Sequence, residues 1–117
     1  MRLKLGHVVF DPQEGFGSVP NQLELEYRGF AVVMRATTFD KLVAPLRAES
    51  IDPEYTMGMT ERLNSGGAVS PPYLLVDFQN RAGPRVVGHE GRHRSLAIQG
   101  IDPNSRILVH VFPANGM

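Results

Sequence analysis

Between positions 88 and 97 the chain reads Gly88-His-Glu-Gly-Arg-His-Arg-Ser-Leu-Ala97, and its first seven residues hold two histidines, two arginines, a glutamate and two glycines. Imidazoles titrate near neutral pH, guanidinium groups fork onto phosphate or carboxylate oxygens, and a glutamate can hold a cation or take a proton. Two chemistries compete for this stretch, and they require different local structures.

The first is a zinc hydrolase. Residues 89–93 spell H-E-x-x-H, and on a helix that spacing sets both imidazoles on one face to ligate zinc while the glutamate activates the bound water. The context opposes it. Gly88 and Gly91 each disfavour helix by about 1 kcal/mol relative to Ala. Arg92 and Arg94 would repel a cation, and no later Glu is available as a third ligand.

The second is an anion cradle. A strand ends near Val87, glycines permit a tight turn, and a helix begins near Arg92. The first helical N–H groups are unpaired at the positive end of the helix dipole, which favours phosphate. Gly91 lacks the Cβ that would block close approach. Arg94 could close over the phosphate, and His93 could donate a hydrogen bond or act as acid or base. Glu90 could orient an arginine, hold a metal bound to the phosphates, or serve as base. The bland alternatives are that His89 and His93 are polar loop residues and that Arg92 points to solvent or pairs with an acidic side chain.

These residues need elements to position them. Leu3–Phe10 reads as a strand, 11–21 as an irregular loop, and Leu23, Leu25 and Tyr27 as the apolar face of a half-buried strand. Gly29–Arg35 predicts a further strand. Thr38 is the expected cap of a short helix over Phe39–Arg47 that contains Pro45. Asp52-Pro53 opens a helix over 53–64, stopped by Asn64-Ser-Gly-Gly67. Tyr73–Phe78 is an apolar strand, 80–84 a turn and Arg85–Val87 a short strand. The motif helix runs from Arg92 to Gln99, and Arg106–Phe112 closes the chain as a strand. The order β-β-β-α-α-β-β-α-β predicts an α+β fold, a compact mixed sheet with a few short helices. Asp11 and Glu14 read as solvated loop carboxylates and His7 and His110 as packing residues. Met57 and Met59, on either side of Gly58, carry no evident ligand role.

On this frame, Gly91-x-His93-Arg94-x-x-Ala97 resembles the G-x-H-R-x-x-A signature of the ParB/sulfiredoxin superfamily. Pro72-Tyr-Leu-Leu-Val76, Val86-Val87-Gly88, the helix through Ala97 and Ile98, and Ile107-Leu-Val-His-Val111 follow the family's order of two strands before the motif helix and one after it. The resemblance covers about 39–112, with 1–38 as an N-terminal β elaboration of a single domain over 1–117. It implies a loop that grips nucleotide phosphates. Members include CTP-hydrolysing partition proteins, ATP-dependent sulfiredoxins, small-molecule kinases and proteins described as nucleases. By position, Gly91 would be the close-approach glycine, Arg94 the phosphate-binding arginine and His93 its neighbour. Arg92 stands where the sulfiredoxin cysteine falls, which excludes sulfinic acid reduction by residue type. The separate DNA-binding region and dimerisation tail of partition proteins find no room. The size and elaboration look like those of small phage or mobile-element proteins.

Composition sets the outer bounds. The chain has 117 residues, 42% hydrophobic and 21% charged, with 12 basic and 12 acidic side chains and no cysteine. Disulfides and thiol chemistry are therefore excluded. No apolar run approaches the roughly 20 residues of a membrane span, so the expectation is a cytoplasmic protein (the host's cytoplasm if phage-encoded) with no membrane partner. Charge is not evenly spread: residues 1–80 carry seven basic and ten acidic side chains, residues 81–117 five arginines against Glu90 and Asp102. An anion site belongs in the last third. The expected site is thus Gly88, Gly91, Arg92, His93 and Arg94 on the phosphates of ATP or CTP with Mg²⁺, or of a nucleic acid. Glu90 and His93 are the acid–base candidates for NTP or phosphodiester hydrolysis or phosphoryl transfer. The alternative from another class is a non-catalytic domain that binds a host or virion protein.

Overall fold

A computed structural model describes residues 3–6, 8–11, 29–46 and 53–114. The expected strand around 23–27, most of the preceding loop, His7, Glu14 and the end of the first expected helix lie outside the described residues.

The elements are β1 (Leu3–Leu5), β2 (Val8–Phe10), β3 (Phe30–Arg35), α1 (Ala36–Val43), a 3₁₀ turn (Ala44–Leu46), α2 (Pro53–Asn64), β4 (Tyr73–Asp77), β5 (Arg85–Glu90), α3 (Arg92–Ile101) and β6 (Arg106–Pro113). The four longer strands form one sheet in the order β3-β6-β4-β5. Its β4–β6 pair is parallel, and the other two pairs are antiparallel. The chain therefore passes from β4 through β5 and α3 to reach β6, and the motif lies inside that crossover. The α+β expectation holds.

Alternation fixes which face is buried. Leu74 and Val76 of β4, Val86 of β5, Ile107, Val109 and Val111 of β6, and Val32 and Met34 of β3 line up by register on one face. That face packs with Ala36, Phe39 and Val43 of α1, Met59 and Leu63 of α2, and Ala97 and Ile98 of α3 in one hydrophobic core. The antiparallel β1–β2 hairpin joins this core through Val8 and Phe10 and is tied to the chain before β4, where Val69 N–H donates to Val9 O at 2.9 Å.

Three local expectations change. The segment Leu3–Phe10 is a hairpin rather than one strand, because Gly6 takes a left-handed φ of 62° between β1 and β2. Helix α1 starts at Ala36, not after a Thr38 cap; its N–H side is tied down by Ala36 N–H donating to Ser105 O at 2.9 Å, with no side-chain cap. It gives way to the 3₁₀ turn at Ala44–Leu46, since Pro45 has no N–H to continue the α-helical ladder.

The third change bears directly on the motif. Strand β5 runs to Glu90 instead of stopping at Val87, pairing Glu90 with Tyr73, His89 with Leu74 and Gly88 with Leu75. Gly88 is therefore a strand glycine. A Cβ there would lie 2.9 Å from Leu75 Cδ1, so its absence allows close approach within the sheet. The register shifts between Leu75 and Val76, and Val87 is left without a partner, as in a β-bulge. Among the described residues no helix is long and apolar enough to cross a membrane.

Candidate functional site

One residue, Gly91, separates β5 from α3. It caps the helix at φ 103°, ψ 17°, a conformation costly for any residue with a Cβ. Space demands glycine as well: an added Cβ would sit 2.6 Å from Pro72 Cβ, 2.8 Å from Pro72 Cα and 2.8 Å from Arg94 Nη2. The close approach expected at Gly91 is real, but its partners are the protein's own Pro72 and Arg94. The Gly91 carbonyl accepts from Ser95 N–H at 3.1 Å and so starts the helical ladder. By helix geometry, the N–H groups ahead of Ser95 have no acceptor one turn back.

Arg94 is not a side chain waiting at the surface. It is 1% exposed, and its guanidinium forks onto Glu90: Nη1 donates to Oε1 at 2.9 Å and Nη2 to Oε2. Of the roles open to Glu90, orienting an arginine is the one seen. The Arg94 Nε is buried without a hydrogen bond. Arg92 is 6% exposed, with its Nε 3.7 Å from Asp40 Oδ1 on α1. Of its two bland expectations, pairing with an acid replaces exposure to solvent. Both arginines reach carboxylates on other elements, because α3 carries no acidic residue in its first turn.

His89 and His93 do not share a helix face. His89 lies in β5 opposite Leu74, and its Nδ1 is buried without a hydrogen bond. His93 lies in the first turn of α3, its ring 5.0 Å from that of Tyr55 on α2 in an edge-on contact at 66°. The helical premise of the zinc reading is thus replaced by a strand, a left-handed glycine and a helix. No cluster of three His, Asp or Glu side chains suited to a metal forms among the described residues.

Two features of this region had no place in the sequence argument. Glu90, Tyr73 and His110 occupy facing positions on β5, β4 and β6, so they form a polar row on the sheet face opposite the helices. Burial, and then the charge of Glu90, push the Tyr73 hydroxyl pKa up. Sequence carried little signal for it, because Tyr73–Asp77 and Arg106–Pro113 are nearly continuous apolar runs, and only the register aligns these three residues. The second feature is a cavity of about 350 Å³ lined by Glu54, Tyr55, Gly58, Met59 and Arg62 of α2. Its sequence signal was a glycine in the interior of a predicted helix, and Tyr55 brings it beside His93.

No protein-family model, curated protein or solved structure matches this chain.

Proposed function

We propose that the first turn of α3, with Gly88, Gly91, Arg92, His93 and Arg94, binds the phosphates of a nucleotide in a domain of ParB/sulfiredoxin type. The observation that carries this reading is electrostatic. Helix α3 begins with Arg92, His93 and Arg94, without an acidic residue in its first turn and without a side-chain cap. Basic residues at the positive end of a helix dipole are unfavourable unless negative charge is brought to them. Glu90 and Asp40 bring part of it from neighbouring elements. A phosphate group would bring more, since the N-terminus of a helix favours an anion. The strand-strand-helix-strand order of β4, β5, α3 and β6 supports the family resemblance, which rests on the motif and this frame.

The chemistry proposed for such a site is NTP or phosphodiester hydrolysis, or phosphoryl transfer. The amides and guanidinium groups would stabilise charge, and Glu90 or His93 would move the proton. Glu90, 30% exposed, is the carboxylate nearest the turn, and both its oxygens accept from Arg94, so a magnesium ion carried on ATP or CTP would have to share it with that arginine. Bound there, the ion would neutralise phosphate charge. The paired state of Arg94 adds a condition: phosphate must compete with Glu90 for the guanidinium fork.

The test is calorimetric titration of the chelator-treated protein with ATP and CTP, with and without Mg²⁺, beside His93→Ala and Arg94→Lys variants whose fold is checked by circular dichroism. Micromolar binding that weakens in both folded variants is expected. Absence of binding by the folded wild type overturns the nucleotide reading and leaves the non-catalytic, protein-binding alternative.

A further inference from the structure

We infer that the open edge of strand β3 is a self-association surface, taken by β3 of a second copy of this chain in antiparallel register about Val33. The motif turn follows β5, at the opposite edge of the sheet, so this inference stands apart from the phosphate reading. A sheet edge is a row of backbone donors and acceptors ready to template another strand, and folded chains blunt it with bulges, charges or proline. The two edges of this sheet differ. Strand β5 carries Arg85 and Glu90 at its ends and a register break that leaves Val87 without a partner. Among the described residues β3 pairs with β6 alone, in unbroken register from Phe30 to Arg35. Its sequence, Phe-Ala-Val-Val-Met-Arg, has no proline and no charge before Arg35. Its apolar side chains are not all covered either: Phe30 is 50% and Val33 46% exposed, and Ala31 is exposed as well.

Register decides which groups the edge offers. His110 N–H donates to Pro72 O at 2.9 Å, on the β4 side, so the facing residues Ala31 and His110 form a non-hydrogen-bonded pair. The alternation carries along the strand: Phe30, Val32 and Met34 bond to β6, while Ala31, Val33 and Arg35 turn their N–H and C=O groups outward. Ala36 N–H donating to Ser105 O continues the same phase. The three outward residues are symmetric about Val33. A twofold axis there pairs Val33 with Val33, Ala31 with Arg35 and Arg35 with Ala31, two hydrogen bonds to each pair, and leaves no outward group of the strand unused. The exposed Val33 side chains meet across the axis, on the sheet face away from the helices. Charge agrees with this occupant. Each Arg35 stands opposite an alanine and not opposite its own copy, and with 12 basic and 12 acidic side chains the chain has no net charge to hold two copies apart. The two four-stranded sheets then join into one.

The test is analytical ultracentrifugation of the full chain at low salt, from about 1 to 500 µM, because a single strand pair is a small interface and implies a micromolar dimer. Wild type is compared with Val33→Lys, Val33→Glu and Val87→Lys, each checked for fold by circular dichroism. Wild type is expected to show a monomer–dimer equilibrium. Either charge at Val33 meets its own copy on the axis and should raise the dimer dissociation constant roughly tenfold or more. An equal mixture of Val33→Lys and Val33→Glu places opposite charges there and should restore association. Val87→Lys, on the bulged edge, should leave the dimer unchanged. A wild type that stays monomeric throughout overturns the inference. So does a dimer indifferent to both Val33 charges, one that Val87→Lys dissociates, or a mixture no better than its components. Amide exchange gives an independent reading: the Ala31, Val33 and Arg35 N–H groups should exchange fast in dilute solution and slow as dimer forms. Slow exchange in the dilute monomer would mean that the edge is already occupied within the chain, and it too overturns the inference.

Discussion

Gly91 and Gly58 are the same residue used for opposite reasons. Gly91 joins β5 to α3 with a left-handed backbone, and Pro72 and Arg94 fill the space where its side chain would be. Gly58 sits in regular helix with open space around it. Around Gly91 the chemically suggestive side chains are already engaged: Arg94 with Glu90, and Arg92 beside Asp40. Around Gly58 less suggestive residues, a tyrosine and a methionine, leave a cavity unfilled. A dense motif therefore marks a place where the fold itself is demanding, and a ligand there must share groups that the fold uses. Gly58 is exposed on its helix, and the fold makes no packing demand on it.

The sharpest way to break this contrast is alanine at Gly91. The substituted Cβ meets Pro72 backbone as well as side chain, in a φ range that L residues avoid. We expect a loss of about 3 kcal/mol or more in denaturant unfolding. A loss below about 1 kcal/mol would mean that the turn relaxes easily and that Gly91 is not fixed by packing.

Next in size is the ion pair. Glu90→Ala leaves the Arg94 guanidinium buried without its carboxylate. Breaking a fully buried pair costs several kcal/mol, but Glu90 is 30% exposed, so screening reduces the expected loss to about 2 kcal/mol. The double variant Glu90→Leu/Arg94→Met removes both charges together and should recover most of that loss. If the double variant is no more stable than Glu90→Ala, the pair is not the source of the effect. The smaller change Glu90→Gln retains an acceptor but removes the competing charge, and should tighten phosphate binding at Arg94 in the titration used for ATP and CTP.

At Gly58 the expected sign is reversed. Gly58→Ala has room and an ordinary helical backbone, so stability should rise by about 0.5–1 kcal/mol from propensity alone. Measured beside Gly91→Ala, it turns the comparison into two unfolding curves that move in opposite directions. A destabilised Gly58→Ala would show that this exposed position is constrained by more than helix propensity and contact.

Much of the frame was legible because local pattern and burial agree. The Asp52-Pro53 start and the Asn64-Ser-Gly-Gly67 stop delimit α2 at Pro53–Asn64, and apolar runs bounded by turn residues mark β3, β4 and β6 to within a residue or so. The helix of the motif begins at Arg92 as its glycine implies. What was not legible depended on pairing across the chain. Nothing local in Gly88-His-Glu90 says strand; its extension comes from register with Tyr73, Leu74 and Leu75. Arg94 carries the same side chain whether it faces solvent or Glu90. Only the single-residue turn at Gly91 brings the end of β5 under the first turn of α3, where the two groups meet as an i, i+4 pair. The cavity was hidden for a similar reason, since Tyr55 and His93 are distant in sequence and meet only when α2 lies against α3.

The smallest expected effect concerns the polar row beside Glu90, and at neutral pH it is nil. Burial and the Glu90 carboxylate both disfavour the Tyr73 phenolate, so its folded-state pKa lies above the unfolded value, which is about 10. Below the unfolded pKa, tyrosine is neutral in both states and the shift has no influence on pH dependence. Above it the unfolded chain releases the proton first, the native state binds more protons than the unfolded state, and stability falls as pH rises through the folded-state pKa. Tyr73→Phe should therefore flatten the stability profile above about pH 10 relative to wild type. Glu90→Gln should flatten it in part, because it removes the charge contribution and leaves the burial. Gly58→Ala should leave its alkaline slope untouched, since its effect is conformational. If Glu90→Gln and Gly58→Ala prove alike in alkaline slope, then Glu90 does not act on Tyr73, and the coupled groups at the start of α3 reduce to the Glu90–Arg94 pair alone.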